Sequence, residues 1–280
     1  MDAARQGFKD ALKDAGLDVT YDEQNAQGDQ STAANIAGTF ADAHHDLILA
    51  IATPTAQAVA QKISDVPVLF TAVTDPVGAQ LVASWEAPGA NVTGTSDANP
   101  VKEQLDLIKQ VVPQVKTLGV IYNSGEDNSV TQVAWVKEAA APLGIEVKEA
   151  SAPTTADVQQ ATESLGDVDA IYIPTDNTVV SSINAVLGVA ETKQIPVFGA
   201  EAGTVKAGAI ATYGLSYYEL GRQTGEQAVR ILTEGADPAT MPVETQANLD
   251  IYLNLGAAER MGVTLPQALI DQAKPENVTK

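Results

Sequence analysis

Several strand-like runs of this chain end in side chains that can hold a small polar molecule. Threonine hydroxyls follow two runs in the first half of the sequence, whereas Asp176 and Glu201 follow two runs in the second half. Hydroxyls and free backbone N–H groups at a helix start bind carboxylates, and carboxylate side chains bind ammonium groups. The pattern therefore predicts a binding site for a small polar molecule.

The candidate carboxylate-binding residues lie at two strand ends of the first half. Thr53 and Thr55 follow the apolar run 46–52, and Thr71, Ala72 and Val73 end the run 66–70. A helix is predicted after each run, so its first N–H groups would face the same anion. The alternative is that these threonines only cap helices, which threonine commonly does.

The candidate ligand-binding residues of the second half lie at three strand ends, and among them Asp176 and Glu201 are the candidates for holding an ammonium group. They are Asn123, Glu126, Asn128 and Ser129 after run 117–122, Thr175, Asp176 and Asn177 after run 169–173, and Glu201 after run 195–198. For Asp176 the alternative is N-capping of the following helix. For the segment 123–129 the alternative is local turn chemistry. Both alternatives stay open at this point.

Two further residues are predicted near the junctions between the halves. Asp97 ends the run 91–96 and is expected either to contact the ligand or to hold a hinge. Tyr213 is an aromatic candidate for the wall of a side-chain pocket. The adjacent His44 and His45 point in different directions on a helix, so we expect neither a metal site nor a cofactor.

The elements that must position these residues alternate between strand and helix, which favours an α/β fold with parallel sheets and right-handed crossovers. Ligands of such sheets bind at the carboxyl ends of strands. The pattern predicts a strand at 17–21, a short helix at 75–82, one helix at 179–193 and strand-like alternation at 243–253. The chain opens directly with a helix, so we expect that a first strand is missing from the first sheet.

Composition excludes several classes of protein. The 280 residues include 36 acidic and 16 basic ones, for a formal net charge of −20, which disfavours nucleic-acid binding. The absence of cysteine removes disulfides, thiolate metal sites and cysteine nucleophiles. No apolar run approaches the roughly 18 residues that span a bilayer. No signal peptide is recognisable at the start of the sequence.

Motifs of enzymes are also absent. The sequence contains no G-x-S-x-G elbow, no Walker A run and no G-x-G-x-x-G after a strand. A Ser-His triad would depend on one of two adjacent histidines. We therefore expect a binding protein and not an enzyme, although paired-carboxylate chemistry stays an alternative.

Three motifs together resemble one group of substrate-binding proteins of ABC importers, whose members take aromatic amino acids. The motifs are the run FTAVTDPVGA at 70–79, the run NVTGTSD at 91–97, and GVIYN at 119–123 followed by EDNS at 126–129. The resemblance extends from the first helix to the run LDIYLN at 249–254.

This resemblance implies a type I periplasmic-binding-protein fold, with two Rossmann-like lobes joined by three crossovers and a ligand cleft between them. The first lobe would comprise 1–97 and about 214–238, and the second 98–213 and about 239–280. The resemblance further implies a monomeric, extracytoplasmic protein, often a lipoprotein, that delivers an amino acid such as tryptophan to a membrane permease. The alternative is a ligand-sensing domain of a regulator or receptor with the same fold.

Overall fold

The computed structural model describes all residues from 1 to 280, which form two compact units. Unit 1 comprises Met1–Ala98 and Ser216–Ala247, and unit 2 comprises Asn99–Leu215 and Asn248–Lys280. The chain therefore passes from one unit to the other three times. The third passage follows Ala247, later than the position near residue 238 that the sequence suggested. Met241 and Val243 explain this position, because they pack in apolar clusters of unit 1.

The helices and strands follow one another in the alternating order that the sequence predicts. The α-helices are α1 Asp2–Asp14, α2 Gln30–Asp42, α3 Thr53–Ala60, α4 Val101–Val111, α5 Asp127–Ala140, α6 Val158–Ser164, α7 Asn177–Ser181, α8 Ile183–Lys193, α9 Ala202–Ala207, α10 Tyr217–Glu234, α11 Leu255–Arg260 and α12 Gln267–Ile270. The strands are β1 Ile48–Ile51, β2 Val68–Val73, β3 Val92–Ser96, β4 Thr117–Tyr122, β5 Glu146–Ser151, β6 Ala170–Ile173, β7 Val197–Gly199, β8 Ala211–Gly214, β9 Glu244–Thr245, β10 Asp250–Asn254 and β11 Val278–Thr279. Short 3₁₀ turns occupy Ala141–Leu143, Thr155–Asp157 and Pro275–Asn277.

Each unit contains one sheet. The sheet of unit 1 has the strand order β1-β2-β3-β9, and all of its strand pairs are parallel. The sheet of unit 2 has the order β11-β10-β8-β7-β6-β4-β5, and its only antiparallel pair is β10 with β8. The strand ends that carry the candidate residues therefore lie at the carboxyl ends of the parallel strands in each sheet, as expected for a type I periplasmic-binding-protein fold.

Apolar side chains cover the sheets of both units. In unit 2 one continuous cluster includes Leu118, Ile171 and Phe198 from three neighbouring strands. In unit 1 two separate clusters share the sheet: one contains Phe70 of β2, and the other contains Leu69 of the same strand. Successive side chains of a strand point to opposite faces, so this division shows that the sheet is covered on both sides.

Helices α1 and α10 of unit 1 approach each other unusually closely, because glycines line their contact. A Cβ atom on Gly221 would lie 1.9 Å from the carbonyl oxygen of Ala4, and one on Gly7 would lie 2.0 Å from that of Tyr218. A Cβ atom on Gly225 would lie 2.6 Å from the Cβ of Ala11. No side chain fits at these places, so the two backbones pack directly against each other.

Four predicted elements differ from the structure. The segment 17–21 is not a strand and joins neither sheet, and Leu17 and Val19 pack instead on the cluster around Phe8. The segment 75–82 forms turns and not a helix, because Gln80 has a φ of +59°.

The third difference is that the predicted helix 179–193 is two helices, α7 and α8. Ser182 stands between them with φ −118° and ψ 26°, which are not helical values. The alternation predicted for 243–253 likewise belongs to two strands, β9 in unit 1 and β10 in unit 2.

Candidate functional site

The start of α3 in unit 1 exposes backbone donors that no side chain caps. The preceding residue, Ala52, has no polar side chain, and the first helical bond runs from the Ala56 N–H to the Ala52 carbonyl at 3.0 Å. The first N–H groups of a helix have no acceptor within it. The Oγ1 of Thr53 also lacks a hydrogen-bond partner although the residue is only 2% exposed. Free donors and a free hydroxyl thus meet at one place, as a carboxylate requires.

Ala52 holds this helix start in a strained conformation. Its φ of 75° and ψ of 154° fall in a region that is essentially restricted to glycine. Such a conformation costs about 1–3 kcal/mol and persists only where the surroundings impose it. Here the Ala52 N–H donates to the Thr71 carbonyl at 3.0 Å, which fixes the residue against β2. Backbone strain at the helix start is consistent with a functional constraint.

We expect Ala52→Gly to cost less stability than Ala58→Gly, the same substitution within α3, by about 1–3 kcal/mol, because only the former relieves strain. Ala58→Gly alone should lower the free energy of unfolding by about 0.5–1 kcal/mol. Urea denaturation of both variants and the wild type measures the difference. Equal losses in the two variants would show that Ala52 is not strained.

The end of β2 is irregular at the predicted residues Thr71, Ala72 and Val73. Ala72 has a φ of +58°, and the register between β2 and β3 shifts between Phe70 and Val73. Gly94 lets the backbones of β3 and β2 approach each other closely, since a Cβ at this position would lie 2.0 Å from the Phe70 carbonyl oxygen. The bulge redirects the backbone at the strand end, which bulges near binding sites commonly do.

A chain of buried hydroxyls determines how Thr71 can act. Thr224 Oγ1 donates to the Leu220 carbonyl at 2.9 Å, and it lies 2.7 Å from Thr95 Oγ1, which lies 3.1 Å from Thr71 Oγ1. Each hydroxyl has one proton, so Thr95 donates to Thr224 and Thr71 donates to Thr95. The Thr71 hydroxyl is therefore left only with acceptor capacity, and a carboxylate would have to be met by backbone N–H groups here.

Asp97 is held inside unit 1, next to the first passage of the chain between units. Its carboxylate accepts hydrogen bonds from Thr74 Oγ1 at 2.9 Å and from the Tyr217 hydroxyl at 2.7 Å. Tyr217 directly follows the second passage. The contact thus ties two of the three connecting segments together, which fits the hinge alternative predicted for Asp97.

In unit 2, the start of α5 and the start of α7 are joined through the carboxylate of Glu126. Its two oxygens accept from the backbone N–H groups of Asn177 and Thr178, both at 3.1 Å, and from their side chains at 2.6 and 2.9 Å. These N–H groups belong to the first turn of α7, where a negative charge is favourable. Glu126 therefore caps a helix that is distant in sequence, and this brings segments 123–129 and 175–178 together.

Asp176 is the N-cap of α7, as the alternative interpretation of its sequence position predicted. Oδ1 accepts from the Val179 N–H at 2.7 Å, whereas Oδ2 accepts from the Asn123 N–H at 2.6 Å and from Ser129 Oγ at 2.7 Å. The residue is 1% exposed. Burial, followed by the neighbouring Glu126 carboxylate, raises the pKa of Asp176 to about 6.

No cation balances these two carboxylates. None of the ion pairs in the structure includes Glu126 or Asp176. Their charge is stabilised by N–H, hydroxyl and amide donors alone, and the raised pKa of Asp176 records the remaining cost. The region around them is therefore strongly favourable for a cation.

Two participants in this cluster lie outside the residues that the sequence singled out. Gln132 accepts from the Thr175 N–H at 3.0 Å through Oε1 and donates to Thr175 Oγ1 through Nε2. Thr178 Oγ1 accepts from Asn123 Nδ2 at 2.9 Å. Gln132 lies four residues after Asn128, on the same helix face, so helical spacing would have signalled it.

Glu201 and Tyr213 occupy a second part of unit 2. Glu201 is the N-cap of α9 and accepts from the Thr204 N–H and Oγ1, both at 2.6 Å. Tyr213 is partly buried at the end of β8, and its carbonyl accepts from Gln104 Nε2 at 2.9 Å. The same Nε2 donates to the Ala200 carbonyl at 2.9 Å. The buried Gln104 therefore ties the segments of Glu201 and Tyr213 together.

The structure thus brings the predicted residues together in separate groups. The uncapped helix start and the β2 bulge form one group in unit 1, whereas segments 123–129 and 175–178 form a contiguous polar cluster in unit 2. The first offers donors to an anion, and the second has excess negative charge. Two α/β units with such strand ends are typical of solute-binding proteins.

The chain belongs to the family described as ABC transporter substrate binding protein, whose model matches residues 1–277. It is 43% identical over 259 residues to a tyrosine-binding protein of Clostridioides difficile, which covers 91% of this chain and 75% of that protein. This degree of identity exceeds what a shared fold alone requires.

Two solved structures resemble the chain along its whole length. A conserved domain protein from Vibrio cholerae is 43% identical with a TM-score of 0.96, and the match covers 100% of this chain and 95% of the other. An ABC domain from Streptococcus pneumoniae, solved in complex with L-Trp, is 35% identical with a TM-score of 0.94 and the same coverage.

More distant structures share the fold alone. A glucose-galactose binding protein from Geobacillus stearothermophilus is 16% identical with a TM-score of 0.62, covering 90% of this chain and 91% of that protein. The Lac repressor is 11% identical with a TM-score of 0.57, covering 89% and 75%. None of the helices described above combines the length and apolar character that crossing a membrane requires.

Proposed function

We propose that this protein captures an aromatic amino acid and delivers it to the permease of an ABC importer. The observation that carries the proposal is the uncapped start of α3, where free N–H groups and the buried, unpartnered Thr53 hydroxyl suit a carboxylate. The L-Trp complex of the Streptococcus pneumoniae domain and the tyrosine-binding relative support the aromatic side chain.

In this proposal unit 1 recognises the carboxylate and unit 2 recognises the ammonium group. The proposed contacts in unit 1 are Thr53, Thr55, Thr71, Ala72 and Val73, with Asp97 positioning the connecting segments. Those in unit 2 are Asn123, Glu126, Asn128, Ser129, Thr175, Asp176, Asn177, Glu201 and Tyr213. The protein acts outside the cytoplasm, as a monomer anchored by a lipid or free, and it catalyses no reaction.

We expect tryptophan, tyrosine or phenylalanine to raise the melting temperature of the protein in a screen of the twenty amino acids. A ligand at a hundred times its dissociation constant adds about 2.7 kcal/mol of stability, which shifts the transition visibly. Isothermal titration calorimetry then gives the dissociation constants. A rise with a sugar or a nucleoside, and with no amino acid, would contradict the proposal.

The contribution of Thr53 is tested with two matched variants. Thr53→Val preserves the shape of the side chain and removes the hydroxyl, so affinity for the amino acid should fall roughly 10–100-fold, as for hydrogen bonds to charged groups. Thr53→Ser retains the hydroxyl and should bind within a few-fold of the wild type. Equal affinities of Thr53→Val and Thr53→Ser would show that the hydroxyl does not contribute to ligand binding.

A further inference from the structure

One acceptor in the polar cluster of unit 2 is buried and unused. Asn128 is 3% exposed, and its Oδ1 has no hydrogen-bond partner. The surrounding acceptors fix which end of the amide this is: Nδ2 lies 2.9 Å from the Thr175 carbonyl oxygen, 3.3 Å from Glu126 Oε2 and 3.3 Å from Ser129 Oγ. An amide nitrogen belongs among these oxygens, so the free atom is the carbonyl oxygen.

The neighbouring carboxylates are already occupied by protein donors. Both oxygens of Asp176 accept hydrogen bonds, as do both oxygens of Glu126. They retain their negative charge, but their hydrogen-bonding positions serve to hold α5 and α7 together. A buried polar atom without a partner costs about 1–3 kcal/mol, so an empty acceptor beside two uncompensated charges indicates a ligand that supplies a donor and a positive charge.

We propose that Asn128 Oδ1 accepts a hydrogen bond from a primary ammonium group of the ligand, with the Glu126 and Asp176 carboxylates as its counter-charges. This inference rests on the proposed function and assigns the recognition of the ammonium group to a neutral amide. The two carboxylates act through their charge, so they keep their structural hydrogen bonds when the ligand leaves.

Such an arrangement links ligand binding to protonation. Burial, followed by the facing carboxylate of Glu126, raises the pKa of Asp176 to about 6, so most of the Asp176 population is protonated below that pH. An ammonium group beside Asp176 favours the ionised carboxylate. Binding therefore releases a proton near pH 5.5, and affinity increases as the pH rises toward 7.

The first experiment compares ligands that differ only in the amino group. L-tryptophan and L-tyrosine are titrated against indole-3-propionic acid and 3-(4-hydroxyphenyl)propionic acid, using the wild type and Asn128→Ala. The wild type should prefer the amino acids by roughly 30-fold or more. The reason is that a propionic acid has no ammonium group and leaves the buried carboxylates of Glu126 and Asp176 without a positive counter-charge. Asn128→Ala should reduce this preference at least tenfold while the affinity for the propionic acids changes little.

The outcomes separate the two proposals. If the wild type binds neither these four compounds nor L-phenylalanine, the proposed function fails and this inference fails with it. If the wild type binds the amino acids and Asn128→Ala leaves the preference over the propionic acids unchanged, the inference alone is overturned. Circular dichroism and melting of Asn128→Ala establish that the variant is folded.

A second measurement needs no variant. Calorimetric titration of the wild type with L-tryptophan or L-tyrosine, in two buffers of different ionisation enthalpy, counts the protons released on binding. We expect a large fraction of one proton at pH 5.5 and almost none at pH 7.5. The absence of proton release at pH 5.5, with binding intact, would exclude the carboxylates as counter-charges.

Discussion

Replacing Gly221 by alanine is expected to lower the free energy of unfolding by roughly 3 kcal/mol, the upper part of the range for overpacked cores. The added Cβ would lie 1.9 Å from the Ala4 carbonyl oxygen, which is backbone and cannot rotate away. Helices α1 and α10 would have to separate along their whole contact. Phe8 and Leu12 of α1 would then lose packing against Ala228 and Ile231 of α10.

Urea denaturation of Gly221→Ala measures this loss. Gly188→Ala is the matched control, because Gly188 also lies within a helix but a Cβ there would meet nothing within 4 Å. That substitution should stabilise the protein by up to about 1 kcal/mol, through the higher helix propensity of alanine. Similar effects of the two substitutions would show that α1 and α10 are not in backbone contact.

The second large effect is a dependence of stability on pH that arises from Asp176. Its pKa is raised from 3.8 to about 6 in the folded protein. Between these values the folded state binds more protons than the unfolded state, so stability decreases as the pH rises. The stability that Asp176 provides is fully present below about pH 4 and is lost above about pH 6, which amounts to roughly 3 kcal/mol.

Stability curves of the wild type and Asp176→Asn between pH 4 and pH 7 isolate this contribution. The asparagine does not titrate, so the wild type should lose stability relative to the variant as the pH rises, whereas groups that do not interact with Asp176 cancel. Glu126→Gln should reduce the loss in the wild-type background, because it removes the charge that opposes ionisation of Asp176. A pH-independent difference between wild type and Asp176→Asn would contradict the raised pKa.

The sequence predicts the architecture well because apolar strands and amphipathic helices carry clear periodic signals. The predicted run 117–122 forms β4 with the same bounds, and the predicted run 169–173 forms β6 within one residue. Local backbone conformation is predicted less well from the sequence. Gln80 and Ala52 both have positive φ, and no residue type in their segments signals it. The first prevents a predicted helix, and the second places strain at the start of α3.

The candidate site is predicted in part. Strand-end positions identify segments 53–55, 71–73, 123–129 and 175–177, since parallel sheets collect polar residues there. Which atoms are free depends on hydrogen bonds across the fold: Glu126 bonds residues more than fifty positions away, at Asn177 and Thr178. The sequence offers Asp176 and Glu201 as ligands of an ammonium group and leaves N-capping open for Asp176, and in the structure each residue caps the helix that follows it.

The three passages of the chain between units also determine when unit 1 can fold during synthesis. Helix α1 emerges before α10, its packing partner, which follows roughly 200 residues later, and contacts so distant in sequence form slowly. At 5–20 residues per second, translation of the intervening chain takes about 10–40 s. Phe8 and Leu12 stay without their partners Ala228 and Ile231 for that time. Unit 1 therefore completes its core only after most of the protein has left the ribosome.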